Sequence, residues 1–257
     1  MKAFIINLEE DVERRANAIT QCRNNNIKYH IINAINGRLL SDMKLREITH
    51  HKYSNGLTPS EIGCALSHYN AYKKIVSDKL SYALIIEDDI QLNNGINDIL
   101  QHLEKMEYKV PTIILLSEIR KYINIGRVKI NNIFSVVNVS QASLSHGYII
   151  NYEAAVKLLE VLFPIWLEAD RWSYLREIGV VNLKAVIPPV ANLSTYSEES
   201  TIWCSKYELA LKGDIRKTRS LTLHKIRKNR SIVLKLKNIV WKLAIRKLFE
   251  KDWYKYD

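Results

Sequence analysis

The sequence predicts an α/β fold, a Rossmann-type mixed sheet flanked by helices and followed by a basic helical tail. Three observations carry this expectation. Residues Ala3–Leu8, Asp11–Asn25 and Tyr29–Asn33 read as strand, helix and strand, the opening of a nucleotide-binding half. Ala83-Leu84-Ile85-Ile86 is a short apolar run that stops abruptly at Glu87-Asp88-Asp89, which suits a buried strand with acids at its carboxyl end. The net charge of +11 is segregated: residues 205–257 hold 16 Lys or Arg and 5 Asp or Glu, while residues 1–204 hold 22 of each.

The elements follow in chain order. The first βαβ unit lacks a Gly-x-Gly-x-x-Gly fingerprint, which argues against a dinucleotide fold. Ser41–Lys52 is a polar helix, and His50 and His51 have no partners at metal-ligand spacing. Thr58, Pro59 and Glu61 stand at the N-cap, first and third positions of the next helix and form a capping box. Ile62, Ala65, Leu66, Tyr69 and Val76 supply its apolar stripe, with Glu61, Cys64 and His68 on a neighbouring face. Glu61 reads as a cap or a ligand, and His68 as a hydrogen-bonded buried residue or a site group. Ile96–Met106 is a helix and Thr112–Leu116 a strand. Val128–Ile130 and Asn131–Asn138 form a hairpin. Gly147–Ile150 is a strand, and Asn151 caps a helix running to about Phe163. Asp170 sits where a helix N-cap could stand. Leu183–Ile187 is the last strand before the tail.

The 257 residues suffice for one large domain or two small ones, and 25% charged with 47% hydrophobic residues is ordinary for a globular protein. Cys22, Cys64 and Cys204 are odd in number and far apart, which points to a reducing compartment. The apolar run after Met1 is too short for a signal peptide, and no stretch suggests a transmembrane helix. Ligands of open α/β sheets sit beyond the carboxyl ends of the strands. Three acids there repel one another unless a cation lies among them, and hard oxygen ligands suit Mg²⁺ or Mn²⁺.

The stretch Leu57-Thr58-Pro59-Ser60-Glu61-Ile62-Gly63-Cys64-Ala65-Leu66-Ser67-His68, together with Ala83-Leu84-Ile85-Ile86-Glu87-Asp88-Asp89, resembles glycosyltransferase family 25, the bacterial lipooligosaccharide galactosyltransferases. The family usually has Gly where Ser60 stands, and Asp-x-Asp where this chain has Glu-x-Asp. The similarity runs from Phe4 to about Ile202 and includes Gly147-Tyr148-Ile149-Ile150 and Pro188-Pro189.

The resemblance implies a GT-A type catalytic domain over residues 1–204, a UDP-sugar donor and a lipid-linked oligosaccharide acceptor, with no role for nucleic acid. It implies an inverting transfer of a hexose, galactose before glucose. Asn7, Leu8, Arg14 and Arg15 become candidates for the nucleotide or pyrophosphate, although the arginines also suit a solvated helix face. Glu61, Ser67, His68, Glu87 and Asp88 are further donor-site candidates. Asp89 is the expected direct metal ligand, with Glu87 and His146 completing its shell. Asp170 is the expected base, with Glu168 second. A metal-dependent phosphoryl-transfer enzyme would leave the Glu61–His68 block without purpose. A non-catalytic polyanion-binding protein would leave the acidic strand end without purpose.

Residues 231–249 of the tail mix apolar with basic residues and hold no acid. Val233, Leu236, Val240, Leu243 and Lys247 follow helical spacing, so one face is mostly apolar, and Trp241 and Phe249 suit a lipid interface. The tail therefore reads as a helix on the anionic inner face of the bacterial inner membrane, or as a terminal helix packed on the body. On the first reading the protein is cytoplasmic and peripheral, and removing the chain after about Lys212 leaves the catalytic body intact.

Overall fold

The computed structural model describes residues 1–194 and 206–253, with the side chains of 206–212 excepted. The expected boundary at 204–205, Cys204 and the far end of the family similarity lie outside the described residues.

The chain opens with β1 (Lys2–Asn7), α1 (Val12–Asn24), β2 (Lys28–Asn33) and α2 (Asp42–Ile48). It continues with α3 (Pro59–Ser77), β3 (Tyr82–Glu87), β4 (Ile90–Leu92), α4 (Ile96–Glu104) and β5 (Thr112–Leu115). β6 (Lys121–Lys129), β7 (Ser135–Gln141), β8 (Gly147–Asn151), α5 (Tyr152–Leu162), α6 (Trp172–Glu177), β9 (Asn182–Ile187) and β10 (Ala191–Leu193) complete the body. Then come α7 (Lys206–Lys228), α8 (Ile232–Val240), a π-helical stretch Trp241–Arg246, α9 (Lys247–Phe249) and β11 (Glu250–Asp252).

Nine strands form one mixed sheet in the order β11-β6-β7-β9-β5-β8-β3-β1-β2. β1 pairs in parallel with β2 and β3, and β5 with β9, while the other pairings are antiparallel. The apolar run of β3 is continuous because both of its faces are covered. Ala83 and Ile85 pack with α3 and α5 residues such as Tyr72, Ile75 and Leu158, while Leu84 and Ile86 pack with Ala18, Cys22, Ile99 and Leu103 of α1 and α4.

Several expectations stop short. The helix expected over Ser41–Lys52 ends at Ile48, where Thr49 turns extended and bridges to Ile165. The hairpin is larger than its apolar core suggested: β6 begins at Lys121, and register shifts at Lys121/Tyr122 and Ile123/Val128 blur its alternation.

The segment from α7 onward is helical as expected, and it is built into the body. Leu223 joins the main core, Arg219 is buried, and β11 pairs with β6. On α8, Leu234 meets Gly179 and Asn238 donates to the Glu177 carbonyl, and just after it Arg176 lies over the Trp241 ring at 4.0 Å.

Candidate active site

The carboxyl ends of β1, β2 and β3 lie side by side, so Asn7, Asn33 and Glu87 share one edge of the sheet. Beyond that edge is an open cleft of about 720 Å³, including its mouth. Leu8, Arg14, Ser67, His68, Glu87 and Asp88 line it, as do Asp11, Ala34–Arg38, Ser60 and Cys64. Arg15 is not among the lining residues, because one step along α1 turns its side chain away.

The wall made by residues 34–38 is pressed against the start of α3. A Cβ on Gly37 would collide with the Pro59 carbonyl, and one on Gly63 with the Ile35 carbonyl. Ser67 fastens this contact: its hydroxyl donates to the Gly63 carbonyl at 2.7 Å and accepts from the Ile35 amide at 2.8 Å. Both its donor and acceptor capacity are engaged, so Ser67 shapes the wall. Glu61 closes the capping box, accepting from the Thr58 amide at 2.8 Å and the Thr58 hydroxyl at 3.0 Å. Of its two sequence readings, the cap is the one the geometry displays.

The acids at the end of β3 have different partners. Glu87 Oε1 accepts from Ser145 at 2.5 Å and faces His68 Nε2 at 3.3 Å. Burial raises its pKa, but His68 and Ser145 outweigh that and hold it near 2. Asp88 accepts from the Asn7 amide at 2.7 Å and pairs with Arg14 at 2.5 Å. Arg14 also reaches Asp89 at 3.2 Å. Burial and the neighbouring Glu87 charge push Asp89 up to about 7. Asp89 Oδ1 is buried without a hydrogen-bond partner among the described residues. One guanidinium among three carboxylates leaves surplus negative charge, and this orphaned oxygen marks where a hard divalent cation fits. His146 is buried at the same edge, bonded to the Ala191 backbone, and burial lowers its pKa.

Asp170 precedes α6, which starts without a side-chain cap, so the N-cap reading of Asp170 does not apply. Burial is the largest cause raising its pKa to about 6, and Glu168, Glu87 and Glu61 add to it against Arg171. Asp170 is not among the residues that line the cleft. Glu168 is different. Arg219 and Arg171 hold both of its oxygens, and although burial opposes them they keep its pKa near 2. A carboxylate held this way organises the loop and is a poor proton acceptor.

Sequence reasoning assigned no role to Asn36, Arg38, Cys64, Ser145, Tyr148 or Arg219. Position was the available signal for Asn36 and Arg38, which follow the carboxyl end of a parallel strand. Nothing local signals Arg219, whose partner is 51 residues away in the chain.

The family model described as Glycosyltransferase family 25 (LPS biosynthesis protein) matches residues 1–172. Human procollagen galactosyltransferase 2 is 26% identical over 168 residues, 61% of this chain and 27% of that protein. A glycosyltransferase 25 family member of Aedes aegypti is 36% identical over 98 residues, 34% of this chain and 16% of that protein. The bovine protein described as a probable inactive glycosyltransferase 25 family member 3 is 27% identical over 110 residues, covering 40% of this chain and 18% of its own length. The chain thus matches about a quarter or less of the length of these relatives. Among solved structures, a glycosyltransferase involved in glycosylation of the PBCV-1 major capsid aligns over 63% of this chain and 64% of its own. Its TM-score is 0.33 at 6% identity, too loose a likeness to inform the site.

Proposed function

Because this chain belongs to glycosyltransferase family 25, we propose that it transfers a hexose, galactose before glucose, from a UDP-sugar to a lipid-linked oligosaccharide acceptor with inversion. The observation that carries this reading is the acidic end of β3 opening, with Arg14 beside it, into a cleft walled by the carboxyl ends of parallel strands.

Each residue then has a task. Arg14 and Arg38 present guanidiniums to the cleft, the donor type suited to a diphosphate. Asn7 keeps Asp88 in place. Asp89 and Glu87 would hold Mg²⁺ or Mn²⁺. The bound cation supplies charge stabilisation to the departing diphosphate. Asp170 takes the acceptor hydroxyl proton. With a pKa near 6 it is ionised at neutral pH yet still basic enough to share that proton.

The acceptor's lipid end favours a membrane-surface enzyme. Ile232, Leu236, Ile239, Val240 and Leu243 are all more than half exposed on the side of α8 and its π-helical extension away from the body. Lys235 and Lys242 flank that stripe on one side and Lys237 on the other. No helix among the described residues is long and apolar enough to cross a membrane. The arrangement suits attachment to an anionic leaflet, the cytoplasmic face of a bacterial inner membrane in this reading.

The test is donor turnover by purified protein with Mn²⁺, comparing UDP-galactose and UDP-glucose with and without lipooligosaccharide acceptor. Acceptor-dependent release of UDP from UDP-galactose is expected. No turnover of either sugar nucleotide overturns the reading.

A further inference from the structure

We propose that Cys64, His68 and Glu87 form a zinc site in the wall of the cleft, distinct from the hard-cation position at Asp89 although it shares Glu87. One ligand atom from each of the three residues lies within 4.8 Å of the others. Cys64 and His68 are four residues apart on α3, so one helical turn aligns them on the same face. Glu87 meets them from the end of β3 across the cleft edge.

The spacing suits a tetrahedral metal. His68 Nε2 and Glu87 Oε1 are 3.3 Å apart. Bonds of about 2.0–2.1 Å to zinc give a tetrahedral edge of roughly 3.3–3.4 Å. That pair therefore stands at ligand separation already. A side-chain rotation brings in the Cys64 sulfur, whose bond to zinc is longer, about 2.3 Å.

A second observation is independent of the triad. His68 Nδ1 lies 2.8 Å from the Tyr148 hydroxyl, which lies 2.9 Å from the Tyr72 hydroxyl. All three side chains are buried. A metal-bound histidine characteristically gives its other ring N–H to a fixed partner. Metal on Nε2 places the ring proton on Nδ1, where it is donated to Tyr148, and Tyr148 turns its own proton to Tyr72. The thiol proton is released to solvent as Cys64 ligates.

The donor set selects the metal. Thiolate and imidazole favour zinc and disfavour Mg²⁺ or Mn²⁺, which prefer all-oxygen shells. All three residues line the cleft, so a fourth coordination position faces the space where a ligand oxygen or water can enter. Since Glu87 serves both positions, zinc competes with the hard cation. The site does not depend on which sugar the cleft accepts.

Cobalt is the probe, as a spectroscopic stand-in for zinc, on the full chain carrying Cys204→Ser. Cys22 is fully buried and stays. One equivalent of Co²⁺ is expected to produce a thiolate-to-cobalt charge-transfer band with tetrahedral visible bands. Zn²⁺ should erase them at one equivalent, whereas Mg²⁺ should do so only at far higher concentration, through the shared Glu87. Cys64→Ser should remove the charge-transfer band, Asp89→Asn should keep it, and Tyr148→Phe should keep it with about 10–100-fold weaker zinc binding. In the Cys204→Ser chain without further substitution, one equivalent of zinc should also slow alkylation of Cys64, a readout that needs no ligand variant. Absence of the band, its survival in Cys64→Ser, its loss in Asp89→Asn, unchanged zinc affinity in Tyr148→Phe, or unprotected Cys64 would overturn the site.

Discussion

Arg219 grips Glu168 through both carboxylate oxygens, Nε to Oε1 at 3.1 Å and Nη2 to Oε2 at 2.6 Å, with both residues buried. The same guanidinium donates to the Tyr53 and Trp166 carbonyls at 2.8 Å each. Helix α7 thus holds the loop that carries Asp170. Arg219→Ala would leave Glu168 buried with only the half-exposed Arg171, and is expected to cost about 3–5 kcal/mol of stability in denaturant unfolding. The pH dependence has a definite sign. Glu168 has its pKa lowered from 4.5 to about 2, so its contribution is complete above pH 4.5 and disappears as pH falls toward 2. Acid unfolding of Arg219→Ala should begin at higher pH than that of the wild type.

Ending the chain after Lys212 removes Arg219, Leu223 and the strand paired with β6. The truncated protein is expected to lose its cooperative thermal transition in circular dichroism. That outcome would favour the packed-helix reading of the basic segment over the detachable one.

Asp170→Asn should retain donor binding and lose about 10²–10⁴-fold in turnover, the usual share of a general base. In the wild type, kcat/KM should rise with pH through about 6, because the carboxylate must be ionised to accept the proton. Titration of donor binding separates the binding effect from the turnover effect, and a flat profile between pH 5 and 7 would move the base elsewhere.

Asp89→Ala should abolish transfer with the fold retained. Mn²⁺ should raise the Tm of the wild type and leave that of Asp89→Ala unchanged, since the orphaned Oδ1 is the atom removed. Differential scanning with and without chelator measures this, and full wild-type activity in excess chelator would count against a metal role.

Leu236→Glu and Leu243→Glu change side chains that are 57% and 67% exposed, so stability should move by less than about 0.5 kcal/mol. Binding to anionic vesicles should fall sharply in co-sedimentation, and wild-type binding should weaken with salt.

The parts legible from sequence were those with local causes. The capping box of α3, the Asn151 cap of α5 and the buried run of β3 follow from residues near one another in the chain. The acidic end of β3 was legible for the same reason. What stayed hidden is made by long-range contacts: Ser145 on Glu87, Tyr148 on His68 and Arg219 on Glu168 are separated by 58, 80 and 51 residues. The basic segment left two readings open because charge composition reports a solvated face and is silent about the opposite one. Arg219, Leu223, Leu234 and Asn238 are spaced along helices whose other positions are basic or exposed.

Strand β6 occupies a place where an unpaired row of backbone groups invites another chain. Its inner half, Lys121–Ile123, is covered by Asp252, Lys251 and Glu250 of β11. Its outer half departs from regular pairing with β7 between Ile123 and Val128, bends at Gly126 with φ +74°, and carries Arg127 and Lys129. The three residues of β11 thus cover the inner half of this strand, with the Glu250 carboxylate fastened to Arg246 at 2.7 Å and to the Ser140 hydroxyl. Unpinning that short strand would turn the border of the sheet into a template for sheet-to-sheet aggregation.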